Sequence, residues 1–144
     1  MTENRFIIAG GGIGGLAAAL GLAQKGIASI VLEKSAELSE IGAGIQLGPN
    51  AFHSFDYLGV GDAARKNAVY VDQLRLMDAM SGEEIMHIPL DEPFRKRFGN
   101  PYAVVHRGDL YGVLLQGCQD SDLIDTKVNA DVLSYEQDDR SVTA

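Results

Sequence analysis

Cysteine is almost absent from this chain: Cys118 is the one example in 144 residues. That excludes an intrachain disulfide, a CxxC redox pair and the Cys/His spacings of a zinc site, and it fits the reducing cytoplasm. Positive charge is also scarce. Twelve Lys and Arg stand against 20 Asp and Glu, for a net charge of −8 and a pI near 4.7. Nucleic acid and anionic membranes both require a basic footprint, so neither is an expected partner. Internal repeats and low-complexity tracts are missing. Uncharged Phe6–Ala23 has the length of a membrane span, but six of its 18 residues are glycine. Clustered glycines cost a helix roughly 1 kcal/mol each relative to Ala, so the stretch reads as strand, turn, helix.

What the chain has in excess is glycine, 17 residues where ordinary usage of ~7 % would supply about ten. Five of the first 15 residues are glycine. The hydrophobic fraction of 46 % is enough for a packed core. Arg5–Ala9 is a short apolar run, the pattern of a strand buried on both faces of a parallel sheet. After Gly10–Gly15, the residues Leu16, Ala19, Leu20 and Ala23 recur at helical spacing, and Gly26 suits a helix stop. Ala28–Leu32 is a second apolar strand ending on Glu33, so the first 33 residues spell one βαβ unit. Ser35–Gly48 reads as a loop with a short extended piece at Ile45–Leu47. Pro49 opens a helix that Gly59 stops. Gln73–Asp78 and Glu84–Leu90 alternate around Ser81-Gly82, as in a hairpin with one exposed face. Residues 108–119 read as a helix, and residues 123–128 and 132–137 as strands. Asp138–Ser141 reads as a turn, with a last strand from Val142. The expected organisation is a core over residues 1–71, a hairpin excursion over 72–100 and a continued core over 101–144.

Gly10-x-Gly12-x-x-Gly15 fits the dinucleotide fingerprint. The first glycine permits the tight turn, the second lets a pyrophosphate approach bare backbone, and the third lets helix and strand pack closely. Free N–H groups and the helix dipole then stabilise phosphate charge. Strand, helix, second strand and terminal acid all surround it as the motif requires. Glu33 lies 21 residues beyond Gly12, where a carboxylate accepts both ribose hydroxyls. The fingerprint does not itself separate NAD from FAD, since each carries an ADP half.

Four blocks extend the pattern: Gly10–Leu16, Val31–Lys34, Gly42–Ala51 and His106–Leu110. In kind and in order they resemble the single-component FAD aromatic hydroxylases, from about residue 5 to the end of the chain. Phe94–Tyr102 followed by Val105-His106-Arg107 most resembles the 3-hydroxybenzoate 6-hydroxylases, with salicylate 1-hydroxylases as the close competitor. The resemblance implies an α/β, Rossmann-like FAD-binding domain of the glutathione-reductase type, with the hairpin directed towards a substrate layer. It implies an enzyme that uses NADH or NADPH to reduce FAD, binds O2 and hydroxylates a small phenolic acid through a C4a-hydroperoxyflavin. For the preferred member, 3-hydroxybenzoate becomes 2,5-dihydroxybenzoate. Carried over by position, Gly10, Gly12, Ile13, Gly14 and Gly15 would hold the FAD pyrophosphate, Glu33 the adenosine ribose, and Lys34 the ribose or adenine. Gly44, Ile45 and Gln46 would approach the flavin end, Arg107 the ribityl–phosphate region, and Val128 would offer backbone to the adenine. The family's later Asp-Gly and Gly-Asp motifs and its substrate-pocket residues are expected beyond Ala144, so no catalytic residue is assigned and the chain reads as a truncated fragment.

Other residues have plainer readings. His53, His87 and His106 read as satisfied polar groups rather than acid/base catalysts, and Cys118 as a small buried hydrophobe. Arg95-Lys96-Arg97 reads as a solvated loop, with attraction of anionic acids or nicotinamide phosphates as the sharper alternative. Two competing functions remain: a nicotinamide-dependent dehydrogenase, and a nucleotide-binding module without turnover. Oligomeric state stays open.

Overall fold

The computed structural model describes residues 5–39 and 42–144. The chain divides into two units, Met1–Ile41 with Leu110–Ala144, and Gly42–Asp109. In the first unit, β1 (Phe6–Ala9), α1 (Ile13–Ala23) and β2 (Ser29–Leu32) form the expected βαβ start. All three main strands run parallel in the order β1-β2-β8, where β8 is Ile124–Lys127. This is the 3-2-1 half of the doubly wound order. Helix α5 (Arg107–Gln119) starts in the second unit and continues into the first.

Apolar periodicity explains the core of this unit. Leu16, Ala19 and Leu20 of α1, Leu114 and Cys118 of α5, Val31 of β2 and Ile124 of β8 are all buried. The end of α1 is closed by Gly26 at φ +71°, where Ile27 N–H returns to Leu22 O at 3.0 Å. One expectation fails at β1. Phe6 is 58 % exposed and Ile7 38 %, because among the described residues β1 pairs with β2 alone and occupies a sheet edge. A continuous apolar run marks compatibility with burial; a neighbour on each side is what produces it.

The second unit holds an antiparallel sheet β3-β7-β4, made of Gly44–Leu47, Ala103–His106 and Val69–Tyr70. Gly44 pairs with His106 and Leu47 with Ala103. Helix α2 (Pro49–Tyr57) has its proline in the first turn and is followed by Gly59 at φ +80°. It contributes buried Phe52 and Phe55 in an edge-to-face pair, with Val60 and Ala64 beside them in the core. The hairpin β5 (Gln73–Met77) and β6 (Glu84–Pro89) forms as expected. Leu74 opposes Ile88 and Leu76 opposes Met86, while Arg75 opposes His87. The strands are thus amphipathic, but both faces are open: every β6 residue is exposed, and in β5 only Leu74 is half-buried.

Two short helices escape the sequence reading. Helix α3 (Gly61–Lys66) has Asp62 in its first turn and Arg65 and Lys66 in its last. Helix α4 (Glu92–Phe98) replaces the loop expected at Arg95-Lys96-Arg97. Asp91 precedes it, Pro93 sits in its first turn, and Gly99 at φ +74° ends it. The three cations fall in its last turn, where they oppose the negative end of the helix dipole. Of residues 132–137, only β9 (Glu136–Gln137) is strand, paired with β10 (Val142–Thr143) across a turn in which Asp138 Oδ1 accepts from the Arg140 and Ser141 amides. Leu133 is 88 % exposed, so the apolar residues before β9 have no face to cover.

Candidate cofactor-binding site

The glycine loop is built so that each glycine has its own reason. Gly10 adopts φ +103°, a conformation that side chains rarely tolerate. A Cβ on Gly15 would run into the Gly10 carbonyl and also approach Ile8, so this position sets how closely α1 approaches β1. Gly12 answers to neither demand: its φ is −72°, and a Cβ there meets no protein atom within 4 Å. Gly12 is exposed, whereas Gly11 is buried. As the N-cap of α1 it has no side chain with which to occupy the first-turn N–H groups of the helix. Bare backbone, free of a protein-packing requirement and at a helix N-terminus, fits a pyrophosphate.

Glu33 closes the loop from the other strand. Its Oε2 accepts the Gly11 N–H at 2.7 Å and its Oε1 accepts the Ser35 N–H at 2.9 Å. The amides of Ser35 and Gly11 hold its carboxyl below the ordinary 4.5. Each oxygen keeps a second lone pair, so the ionised group can still accept ribose hydroxyls. Beside it lies a cleft of about 190 Å³, lined by Ala9, Gly10, Leu32, Glu33, Lys34 and Ala130–Val132. It opens at the carboxyl ends of β1 and β2, the end of a parallel sheet where nucleotides bind. The far wall follows from backbone bonds that fold the segment after β8 onto β2: Asn129 N–H to Ser35 O, and Ala130 N–H to Glu33 O, each 2.9 Å.

Gly10, Gly12, Ile13, Gly14, Gly15, Glu33 and Lys34 therefore belong to one corner of the first unit. Val128 is half-buried just after β8, two residues before the cleft wall. Gly44, Ile45, Gln46 and Arg107 belong to the second unit. There Gly44–Gln46 form β3, and a Cβ on Gly44 would meet only Val105 O, at 3.9 Å. Gln46 Oε1 accepts the Tyr102 hydroxyl at 2.6 Å. Arg107 N–H donates to Ala43 O at 3.1 Å, and its side chain runs against Gly42, where a Cβ would come 2.9 Å from Arg107 Cδ. The sequence reading missed Ser35, the wall Ala130–Val132, and Tyr111, whose hydroxyl donates to Gly11 O at 2.9 Å.

Glycine loop, acid-ended β2 and parallel 3-2-1 sheet together define a dinucleotide-binding α/β protein. The family described as FAD binding domain matches residues 3–144. This chain belongs to that family, which resolves the choice of cofactor that the glycine fingerprint leaves open. Among similar proteins, 3-hydroxybenzoate 6-hydroxylase 1 of Aquipseudomonas alcaligenes is 56 % identical over 134 residues, 93 % of this chain and 34 % of that protein. The 3-hydroxybenzoate 6-hydroxylase of Klebsiella oxytoca is 48 % identical over 139 residues, 96 % of this chain and 35 % of its own length. This chain thus spans about a third of the length of the curated relatives it matches. Among solved structures, Klebsiella pneumoniae HpxO complexed with FAD and uric acid aligns with TM-score 0.81 and 30 % identity over 98 % of this chain and 34 % of that one. The p-nitrophenol 4-monooxygenase PnpA of Pseudomonas putida aligns with TM-score 0.86 at 22 % identity, over 96 % of this chain and 35 % of that one, and bears on the fold alone. Among the described residues, no helix is long and apolar enough to cross a membrane.

Proposed function

We propose that this chain is the FAD-binding amino-terminal part of an NAD(P)H-dependent aromatic monooxygenase acting on 3-hydroxybenzoate. The observation that carries the reading is the 48–56 % identity to three proteins named 3-hydroxybenzoate 6-hydroxylase, against 34 % to a 6-hydroxynicotinate 3-monooxygenase. The net reaction consumes the phenolic acid, O2, NAD(P)H and a proton, and releases 2,5-dihydroxybenzoate, water and NAD(P)+. FAD, when bound, supplies the oxygen activation.

The chain's own residues bind and orient. Gly12–Gly15 present α1 amides to the pyrophosphate, and Glu33 accepts the adenosine ribose hydroxyls while holding Gly11. Lys34 and Ala130–Val132 flank the adenosine in the cleft, with Val128 offering backbone nearby. Gly44–Gln46 supply a strand to which the flavin end comes close, and Arg107 contributes a cation to the ribityl–phosphate region. A cytoplasmic setting suits both the nicotinamide reductant and the unpaired thiol. The test is turnover by the full-length enzyme: NAD(P)H oxidation with 3-hydroxybenzoate, salicylate or 6-hydroxynicotinate, and product identified by chromatography. The expected result is 2,5-dihydroxybenzoate from 3-hydroxybenzoate. Preferential conversion of salicylate, or a colourless protein that takes up no FAD, overturns the reading.

A further inference from the structure

We infer that Tyr111 is a positioning residue for the cofactor pyrophosphate, acting through the peptide that joins Gly11 to Gly12; the inference rests on the FAD-binding reading above. Tyr111 lies on α5, a hundred residues from the loop in sequence, and is 4 % exposed. Its hydroxyl donates to Gly11 O at 2.9 Å in a buried contact. In a trans peptide the C=O and N–H are coplanar and point in opposite directions, and no cis bond occurs among the described residues. Fixing Gly11 O towards Tyr111 therefore fixes the Gly12 N–H away from it, from the buried side of the loop towards the exposed side. The preceding peptide is held independently, through Gly11 N–H on Glu33 Oε2 at 2.7 Å. Two consecutive peptide planes of the most conformationally free residues in the chain are thus set by side chains from α5 and from Glu33, just past the end of β2. Glycine has the largest backbone entropy to lose, so a loop left to order itself on the ligand would bind more weakly.

Substituting Tyr111→Phe keeps the ring in place and removes the donor. The experiment titrates the 144-residue chain and its variant with ADP and with adenosine by calorimetry, and follows amide nitrogen shifts and hydrogen exchange by NMR in the ligand-free proteins. ADP affinity is expected to fall about tenfold, since a buried carbonyl loses its partner, with adenosine affinity unchanged because adenosine has no pyrophosphate. The Gly12 amide nitrogen, which shares its peptide with Gly11 O, should shift, while the Gly11 amide held by Glu33 and those of Leu20 and Leu22 in α1 keep their exchange protection. Equal loss for ADP and adenosine, or no loss for either, overturns the inference. So does a variant that fails to fold, which would make Tyr111 a support of the sheet as a whole. If the parent chain binds neither ligand, the FAD-binding reading fails for this chain, and the Gly12 amide shift still decides the role of Tyr111: an unchanged shift overturns it.

Discussion

Three glycines in one turn make separable demands, and single substitutions should separate them. Gly15→Ala drives a methyl into the Gly10 carbonyl, so urea unfolding should show a loss of about 2–3 kcal/mol from overpacking. Gly12→Ala has open space around it and should leave stability within about 0.5 kcal/mol of the parent, yet weaken ADP binding measured by calorimetry. Glu33 adds a pH dependence with a definite sign. Its folded pKa is depressed below 4.5 by the Ser35 and Gly11 amides, so its contribution is present above about pH 4.5 and lost as pH falls through the folded value. Unfolding of Glu33→Gln against the parent should therefore differ at pH 7, and the difference should shrink as pH falls from 4.5 through the folded value. The glycines and Glu33 were legible because their constraints are local or lie at a fixed βαβ spacing. Tyr111 was not, because a contact across a hundred residues leaves no mark in either neighbourhood.

Short helices are fixed by their ends and by what they touch, more than by apolar periodicity. Helix α4 has no buried residue and so no apolar stripe to read, but Asp91, Pro93 and Gly99 mark its ends and supply the signal that was available. It is tied down by His53 Nε2 on Phe98 O at 3.0 Å. Helix α3 is held by Arg65, whose guanidinium grips both Asp56 oxygens and donates to Asn100 Oδ1 at 2.8 Å. Asn100 is buried; its amide also reaches His53 at 3.2 Å. Arg65→Met should cost about 1 kcal/mol in urea unfolding, most of it from the stranded Asn100 oxygen, since the partly exposed ion pair is screened. Arg65→Lys should recover less than half, because one ammonium cannot serve the same fork of acceptors. The packing of α5 on α1 has its own reporter in Cys118, whose Sγ lies 3.5 Å from Leu16 O. Burial pushes this thiol up to about 11, so a thiol reagent at pH 8 should label it only at the rate of unfolding.

Across the whole molecule, sequence order revealed the βαβ start, the hairpin and the FAD-binding family blocks, because periodicity and motif spacing are properties of the chain. Which apolar faces are covered is a property of neighbours. Phe6 and Ile7 on β1, and Leu76, Met86 and Ile88 on the hairpin, are apolar by pattern yet exposed, and no reading of their own segments reveals that. The same division governs cofactor affinity. The residues proposed for the ADP half line the cleft and glycine loop of the first unit, whereas those proposed for the flavin end lie in the second unit, and this chain spans about a third of its curated relatives. FAD should then bind this chain no more than about tenfold tighter than ADP, a difference of about 1.4 kcal/mol. Parallel calorimetric titrations measure both constants on one preparation. A gap of a hundredfold or more would show that Gly44–Gln46, proposed for the flavin end, and Arg107, proposed for the ribityl–phosphate region, already add to FAD affinity without the remaining length of the relatives. Comparable constants, together with Gly12→Ala weakening both ligands equally, would place nearly all of the chain's cofactor affinity at the pyrophosphate and adenosine.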